Sequence, residues 1–557
     1  MQQTIKLKLL VSAIMSFSSC LIMTTPALAA NDIDNSELAE ADLAQTDSVE
    51  NQSTAILKSG EMPISVEKLV QLTVKRNAQI LYTNLQKKIA STQVSFEQGV
   101  YEPEFFSSIN YADTHVKTTA DDRLSSSFRA NEETFDDSTI DLSTGIKAAF
   151  ATGLEVVFSY EGQKKSNNFI ELDPQSDSDS EVTSSLKLQL TQPLLRGMGS
   201  IQAESKIAKA QLKQKIATIQ LEQQLLKTSF ESISAYWKLY KAEQFLEVRQ
   251  NALENAQKSI EDIRLRIGSG REPKASIYEA KSNMATRKAA VRAATQAVKQ
   301  AQKDLKTLLN ISDQEYQTLR FATVDEPRLS QVFLSSSFED YYQWVLKHWP
   351  SYLITQQNLL IQKLEIDVAK DEARPKLDLS IGYTTNALEN KTGEAVQNAF
   401  STEYPTWFMG LNFSINLYGN ERAKSKALMA KTKQTQQKID LEAVKVGLAN
   451  DLSLKLEKVN SAFEEYKLYQ ESVDMLEQVL SSERKNFELG KSRISDVFER
   501  EDRLNVERQK LIDSHVKLEL AKVALMLADG SLLNKYNVEL IGSRDQDMGQ
   551  RPVLEKH

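Results

Sequence analysis

The sequence predicts an α+β fold in which two internal repeats each combine long coiled-coil helices with amphipathic strands. The repeats are visible directly, because four residues return after 272 positions: Ser65, Glu67, Pro103 and Tyr111 as Ser337, Glu339, Pro375 and Tyr383. Five more return after 220 positions: Arg264, Gly270, Ile277, Glu279 and Leu305 as Arg484, Gly490, Val497, Glu499 and Leu525. Only 18 glycines and 11 prolines in 557 residues indicate few turns and long elements. A change of hydrophobic period from 3.6 to 2 within each copy adds the strands.

The first 29 residues are predicted to be a secretory signal peptide. Lysines precede an apolar run over 9–23, and residues 27–29 have the small-x-small pattern of a cleavage site. The single cysteine, Cys20, lies in this run, so the mature chain would have no thiol. An acylated Cys20 is the alternative. Residues 30–62 form an acidic leader that is predicted to be disordered.

Composition argues against nucleic-acid binding and against enzyme chemistry. The net charge is −8, and neither sign is concentrated in one run. No nucleotide-binding loop or nucleophile motif is present, and the four histidines are too scattered to suggest a metal or cofactor site: His115, His348, His515 and His557. The acidic pairs Glu464-Glu465 and Glu501-Asp502 are predicted to lie on solvated helix faces.

Each repeat is predicted to start with a helix and to continue with strands. The helix of the first copy covers 65–99 with Ser65 as its N-cap, and that of the second covers 337–372. After the prolines, apolar residues alternate with polar ones around 105–111 and 186–191, and again around 377–384 and 409–417. Such strands could belong to a soluble protein, in which the apolar face of the sheet packs on the core and the polar face contacts water. Aromatic residues near their ends favour strands in lipid instead: Tyr111, Tyr383, Tyr404, Trp407 and Tyr418.

The first copy contains 52 additional residues, which predict a further hairpin over 140–161 around the turn at 151–153. The stretches 113–139 and 163–181 on either side are acidic and serine-rich, and are predicted to be mobile loops. The hairpin could widen a barrel or lie outside it. The sequence leaves both possibilities open.

The longest elements follow the strands. Residues 203–267 contain no Gly or Pro and their copy, 423–487, contains only Gly447, so each helix could reach about 100 Å. The returning helices show a heptad pattern that is interrupted only at Arg287 and that predicts left-handed coiled coils.

Taken together, the duplicated order of elements resembles the TolC-like outer-membrane efflux and secretion duct family over roughly residues 63–540. Three short segments carry the resemblance: 190–197 (LTQPLLRG), 374–379 (RPKLDL) and the tip at 490–497, where Gly490 precedes ISDV. The resemblance implies an α+β membrane protein with a long α-helical coiled-coil barrel and a transmembrane β-barrel formed jointly by a homotrimer. Four strands per chain are too few to close a barrel, which independently requires several chains. Three chains would supply twelve strands, or eighteen with the extra hairpin.

The domain boundaries expected from this resemblance are a signal peptide (1–29), a leader (30–62), a first repeat (63–311), a linker (312–336), a second repeat (337–534) and a C-terminal tail (535–557). The implied location is the outer membrane, in contact with its lipid, with the helices in the periplasm of a Gram-negative bacterium. The implied partners are a periplasmic adaptor (membrane fusion) protein and an inner-membrane pump or ABC transporter. Efflux and type I protein secretion are both compatible with the sequence.

Two groups of site residues also follow from the resemblance. Adaptor docking is expected at the helical tips, at Arg264, Gly270, Arg484 and Gly490, although the glycines could serve only to end their helices. A pore constriction is expected at Ser276, Glu279, Phe487, Asp496 and Glu499. Asp496 and Glu499 lie one turn apart on one helix face and would form a cation-selective ring in a trimer, or would only complement the helix dipole.

This chain departs from the family pattern at two of these positions. Ser276 stands where an acid often helps to lock the tip, and Phe487 where a tyrosine often does. The closed state would then have fewer polar links, or would use Arg271, Lys491 and Arg493. The alternative function is a secreted or periplasmic coiled-coil structural protein such as an adhesin stalk, which would not need paired amphipathic strands. A secreted hydrolase is a third option and lacks any motif.

Overall fold

The computed structural model describes residues 60–120, 133–171, 178–312, 319–417, 419–536, 538 and 553–556. The predicted signal peptide, Cys20 and nearly all of the leader lie outside the described residues. So do Tyr418, His557 and parts of both predicted loops.

The elements of the first repeat follow the predicted order. They are β1 (Glu61–Ile64), α1 (Val66–Arg76), α2 (Ala78–Gln98), β2 (Glu104–Lys117), β3 (Thr134–Ala149), β4 (Glu155–Asn167), β5 (Glu181–Pro193), α3 (Ile201–Gly268) and α4 (Ser276–Leu308). A single helical turn, Asn168–Glu171, follows β4.

The second repeat has the same order, with one pair of strands and an additional short helix between them. From the predicted linker to the predicted tail, the elements are β6 (Arg320–Thr323), β7 (Gln331–Leu334), α5 (Phe338–Leu346), α6 (Pro350–Glu372), β8 (Lys376–Glu389), α7 (Thr392–Asn398), β9 (Pro405–Ser414), α8 (Glu421–Glu488), α9 (Ile494–Asp529), a single helical turn (Leu532–Lys535) and β10 (Val553–Lys556). The predicted linker therefore contains β6 and β7, and the predicted tail contains β10, which pairs with β7 in an antiparallel register.

The described chain forms two compact units. In the smaller unit, β1 and β6 form a parallel pair. The larger unit contains the remaining elements. None of the described helices combines the length and the apolar character that a membrane crossing needs.

The opening helix of each repeat is divided in two, whereas one continuous helix was predicted. Ser65 caps α1 by accepting the Lys68 N–H at 3.3 Å, as expected. The helix stops at Asn77, whose side chain accepts the N–H groups of Gln79 and Ile80 and so starts α2. In the second copy Pro350 is the first residue of α6 and ends the preceding helix, because proline cannot continue it.

The two 68-residue helices α3 and α8 confirm the long helices and keep the offset of 220 at both ends. Both begin at a sharp backbone reversal. Gly199 and Ser200 have positive φ before α3, as do Gly419 and Asn420 before α8. A left-handed backbone in two consecutive residues turns the chain from strand to helix within a few residues.

Six strands form one antiparallel sheet in the order β2-β3-β4-β5-β8-β9. The predicted hairpin is β3–β4, and it lies inside this sheet, between β2 and β5. Part of the sequence predicted to be mobile loop is strand instead: β2 runs to Lys117, β3 starts at Thr134 and β4 runs to Asn167. The polar composition of these stretches misled the prediction, because both faces of a long strand can be polar near its end.

Candidate functional site

The sheet carries an apolar face that spans all six strands. Direct cross-strand partners form one continuous row: Trp407, Tyr383, Leu188, Phe158, Ile146 and Phe105. Each of these side chains is between 39% and 73% exposed. Monomeric soluble proteins rarely expose an apolar surface of this extent, so this face requires a cover.

The opposite face of the same strands is polar and carries charges of both signs. Lys147 pairs with Glu155 at 3.3 Å, and Lys187 with Glu161 at 3.8 Å. Asp141 accepts a hydrogen bond from Gln163 at 2.8 Å. An apolar face and a polar face on every strand are typical of a β-sheet that separates lipid from water.

The two sequence segments at the strand ends bind one another. The N–H of Leu194 donates to the carbonyl of Leu377 at 2.8 Å, and β5 and β8 are paired from Val182 to Pro193. The N–H of Gly197 donates to the buried carboxylate of Asp371 at 2.9 Å. The segments at 190–197 and 374–379 therefore fasten the first repeat to the second where strands give way to helices.

Each coiled-coil hairpin reverses through the same backbone motif. Gly270 has φ +72°, its N–H donates to the carbonyl of Ile267, and the next N–H donates to the carbonyl of Arg266. Gly490 has φ +71° and repeats both bonds. This pair of bonds is the Schellman motif, which needs a left-handed residue at its centre. The chain therefore reverses between Gly268 and Ser276, and again between Glu488 and Ile494.

We expect Gly490→Val to destabilise the second tip by about 1–2 kcal/mol, because a β-branched residue resists a positive φ. A new Cβ would meet nothing within 4 Å, so the cost is conformational rather than steric. Gly490→Asn should cost less, since Asn tolerates this conformation. Hydrogen exchange at residues 484–497 measures the effect. Gly268→Ala is the matched control, because its surroundings are equally open and its φ is not positive. Equal protection in all three variants would contradict the prediction.

The predicted constriction residues divide into buried and exposed groups. Phe487 is only 8% exposed and belongs to an apolar cluster with residues of both hairpins, while the Arg266 guanidinium lies 4.6 Å from its ring centre. Ser276 is buried and donates to Glu272 at 3.0 Å. Neither side chain is on an open face of the chain. Within one chain, both side chains therefore pack inside the tip, and their place in the constriction stays a prediction.

The acidic residues of the predicted ring are accessible. Glu499 is exposed on α9, and Glu279 is exposed at the corresponding position on α4. Asp496 is partly buried, and its carboxylate accepts the N–H of Arg493 at 3.1 Å. The capping role considered from sequence is therefore present for Asp496.

The predicted docking residues differ in their environment. Arg264 is exposed on α3. Arg484, its copy on α8, donates to Glu501 at 2.6 Å and so already has an internal partner.

A buried ion cluster, missed by the sequence reasoning, joins four helices above the tip. Arg287 on α4 donates to Glu501 on α9 at 2.9 Å and to the carbonyl of Ala252 on α3 at 2.9 Å. It also pairs with Asp502 at 3.2 Å, and Arg484 adds α8. Glu501 is buried, so the prediction that the pair Glu501-Asp502 lies on a solvated face is wrong for Glu501. The interruption of the heptad pattern at Arg287 was the signal for this cluster.

The histidine on α9 gives the helical part a pH dependence. Burial and the nearby Lys522 ammonium lower the pKa of His515 to about 4, and its ring lies 4.6 Å from that of Tyr466. Protonation then favours the unfolded state, so stability is full above the ordinary histidine pKa of about 6.5 and falls as the pH drops towards 4. We expect thermal resistance to decrease between pH 7 and pH 5, and to decrease less in His515→Phe. An identical pH profile for both proteins would contradict this.

The second repeat matches a known family. Residues 356–531 fit the family model described as outer membrane efflux protein. The chain is related to the TolC-like outer membrane efflux proteins. The outer membrane protein TolC of Vibrio cholerae is 23% identical over 225 residues, which is 40% of this chain and 50% of TolC. The chain thus spans about half the length of this curated relative.

Solved structures share the fold of these efflux proteins over most of the chain. A membrane protein from Pseudomonas aeruginosa superimposes with a TM-score of 0.61 at 13% identity, covering 83% of this chain and 90% of that chain. The outer membrane channel CmeC of Campylobacter jejuni gives 0.59 at 14% identity, covering 84% and 86%. The printed description of CmeC is that of a channel, and the matched family is described as an efflux protein. The description of the matched family agrees with the outer-membrane location expected from the sequence.

Proposed function

We propose that the chain is one subunit of a homotrimeric outer-membrane exit duct. The observation that carries the proposal is the sheet, with an exposed apolar face across six strands and a charged face behind it. Lipid would cover the first face and water the second.

The sheet ends explain the need for several copies. β2 and β9 are its outermost strands, and open strand edges are not tolerated in lipid. Because the sheet has six antiparallel strands, β2 of one copy runs antiparallel to β9 of the next, and the sheets can close into one wall. Three copies is the number implied by the resemblance to TolC-like channels.

The mechanism is passive conduction. The polar face lines a water-filled passage, and the sequence offers no nucleotide-binding loop that could supply energy. Energy would come from an inner-membrane pump or ABC transporter, through a periplasmic adaptor at the tips near Gly270 and Gly490. Small molecules and polypeptides both fit this scheme. A coiled-coil adhesin stalk is disfavoured, because it would leave the apolar face uncovered.

The experiments use the full chain, in intact cells, in outer-membrane fractions and after purification. We expect heat-modifiable trimer bands in outer-membrane fractions and unitary conductance steps in planar bilayers. An epitope inserted at Asn398, at the strand end remote from the long helices, should be accessible on intact cells. Monomers without conductance would refute the duct. An inaccessible epitope would refute the proposed orientation.

We further propose that Asp496 and Glu499 form the selective ring of this duct. We expect Asp496→Ala with Glu499→Ala to lower cation selectivity and to weaken block by multivalent cations in single-channel recordings, because six carboxylates are lost from a trimer. Asp496→Asn with Glu499→Gln is the matched variant, since it keeps the cap acceptor at Asp496 and removes only charge. Unchanged selectivity and block in both double variants would remove these residues from the gate.

A further inference from the structure

The hairpin β3–β4 repeats the two faces of its neighbours without a break. Ile146 and Phe158 stand in the apolar row beside Leu188, and both are about as exposed as the other members. On the other face, Ser143 pairs with Glu161, which in turn pairs with Ser185 of β5. Only a hairpin with the same two environments on its two faces needs this alternation at every position, so the match indicates that the hairpin belongs to the wall.

The turn of the hairpin is fixed to the start of the long helix α3. The N–H of Gly199 donates to the carbonyl of Thr152 at 3.0 Å, and the Ser200 hydroxyl donates to the carbonyl of Phe150 at 2.9 Å. Gln192 donates to the same Thr152 carbonyl at 3.0 Å. Any Cβ at Gly153 would approach the carbonyl oxygen of Gly197 to 2.9 Å, so the turn fits closely. The hairpin is anchored where the wall meets the helices.

The insertion separates two strands whose helices stay together. α2 packs on α3, as α6 packs on α8. Tyr101, just after α2, donates to Glu204 on α3 at 2.6 Å. The strands that continue these helices, β2 and β5, are three strand spacings apart, about 14 Å, whereas β8 and β9 are one spacing apart, about 5 Å. In the first repeat, the two strands that continue the packed helices are therefore farther apart than the corresponding strands of the second repeat.

We propose that the hairpin is a size-determining part of the duct, so that three copies close a wall of eighteen strands and the outlet passes hydrated cargo too bulky for a twelve-stranded wall. The proposal rests on the trimeric duct proposed above. Because barrel diameter grows roughly linearly with strand number, the outlet is about 1.5-fold wider than without the hairpin. The hairpin also adds charged groups to the polar face: Asp141, Lys147, Glu155 and Glu161. These favour polar cargo that keeps its water shell.

Paired cysteines test the position of the hairpin in the full chain with Cys20 replaced by alanine. Ile146→Cys on β3 should react with a membrane-soluble maleimide and resist a charged one, while Ser143→Cys should react with the charged reagent. Ile381→Cys and Ser380→Cys are the matched controls on β8, with the same two faces. The hairpin pair should behave like the control pair.

A deletion tests the width of the outlet. Residues 119–179 are replaced by a short Gly-Ser linker that joins β2 to β5. Polyethylene glycols of graded size are then added on the side of a planar bilayer that faces the strand loops. We expect the radius of the largest polymer that enters to fall by about one third in the deletion variant.

The outcomes distinguish a failure of the hairpin proposal from a failure of the proposed duct. If the β8 pair shows the membrane pattern and Ile146→Cys reacts freely with the charged reagent, the hairpin lies outside the wall and the proposal is wrong. An unchanged polymer limit in intact deletion trimers also overturns it. If the β8 pair fails as well, the duct is refuted. A deletion variant that does not assemble leaves the cysteine result to decide.

Discussion

Replacing Arg287 with methionine is expected to loosen the helical tip and raise leak conductance of the closed channel. The substitution leaves Glu501 buried, with only the half-exposed Arg484 as its partner. Breaking a buried ion pair costs about 3–5 kcal/mol when the remaining charge has no partner, and Arg484 lowers this cost because it still compensates part of the Glu501 charge. Single-channel recordings and hydrogen exchange of α4 and α9 measure the effect.

Two matched variants make this result specific. Arg292→Met removes an exposed arginine from the same helix and should change neither readout. Arg287→Met with Glu501→Met removes both charges and should recover much of the lost protection, since apolar replacement of a buried pair is often neutral. If the single and double variants leak equally, the ion cluster does not hold the tip.

Leu188→Arg is expected to prevent stable insertion of the trimer. Leu188 lies in the middle of the apolar row, between Phe158 and Tyr383. An arginine on a lipid-facing strand costs about 2–4 kcal/mol near the middle of the bilayer, and a trimer multiplies this cost by three. The yield of heat-modifiable trimer in outer membranes measures it.

The adjacent residue supplies the control. Gln189 points to the opposite, charged face of β5, so Gln189→Arg should insert normally and change only ion selectivity. Equal loss of trimer in both variants would mean that the two faces of the sheet do not differ in environment.

The order of elements and the bounds of the long helices were predictable, because they depend on local signals. Hydrophobic period, Ser65 as a cap, and the glycines before each reversal are readable within a few residues. The position of the hairpin was not predictable. Alternation fixes which face of a strand is apolar, but it does not say which strands are neighbours.

The site was predicted less completely. Hydrophobic period and the spacing of the repeated residues located the tips, and Glu499 is exposed there. The burial of Phe487 and Glu501 depends on contacts between helices more than 200 residues apart in the chain, as between Arg287 and Glu501. A single charged residue in an apolar heptad seam, as at Arg287, was the one available sign, since such a charge must find a partner.

The pairing of β5 with β8 has a consequence for how the protein matures. β2 to β5 are successive hairpins that can form from local contacts, whereas β8 starts 183 residues after β5 ends. Closing so long a loop is slow, and the helices between them must be complete first. Until β8 pairs with β5, the apolar face of the four strands β2 to β5 would be exposed to water in the periplasm. We therefore expect periplasmic chaperones to bind this chain for longer during its assembly than they bind a channel whose paired strands are adjacent in sequence.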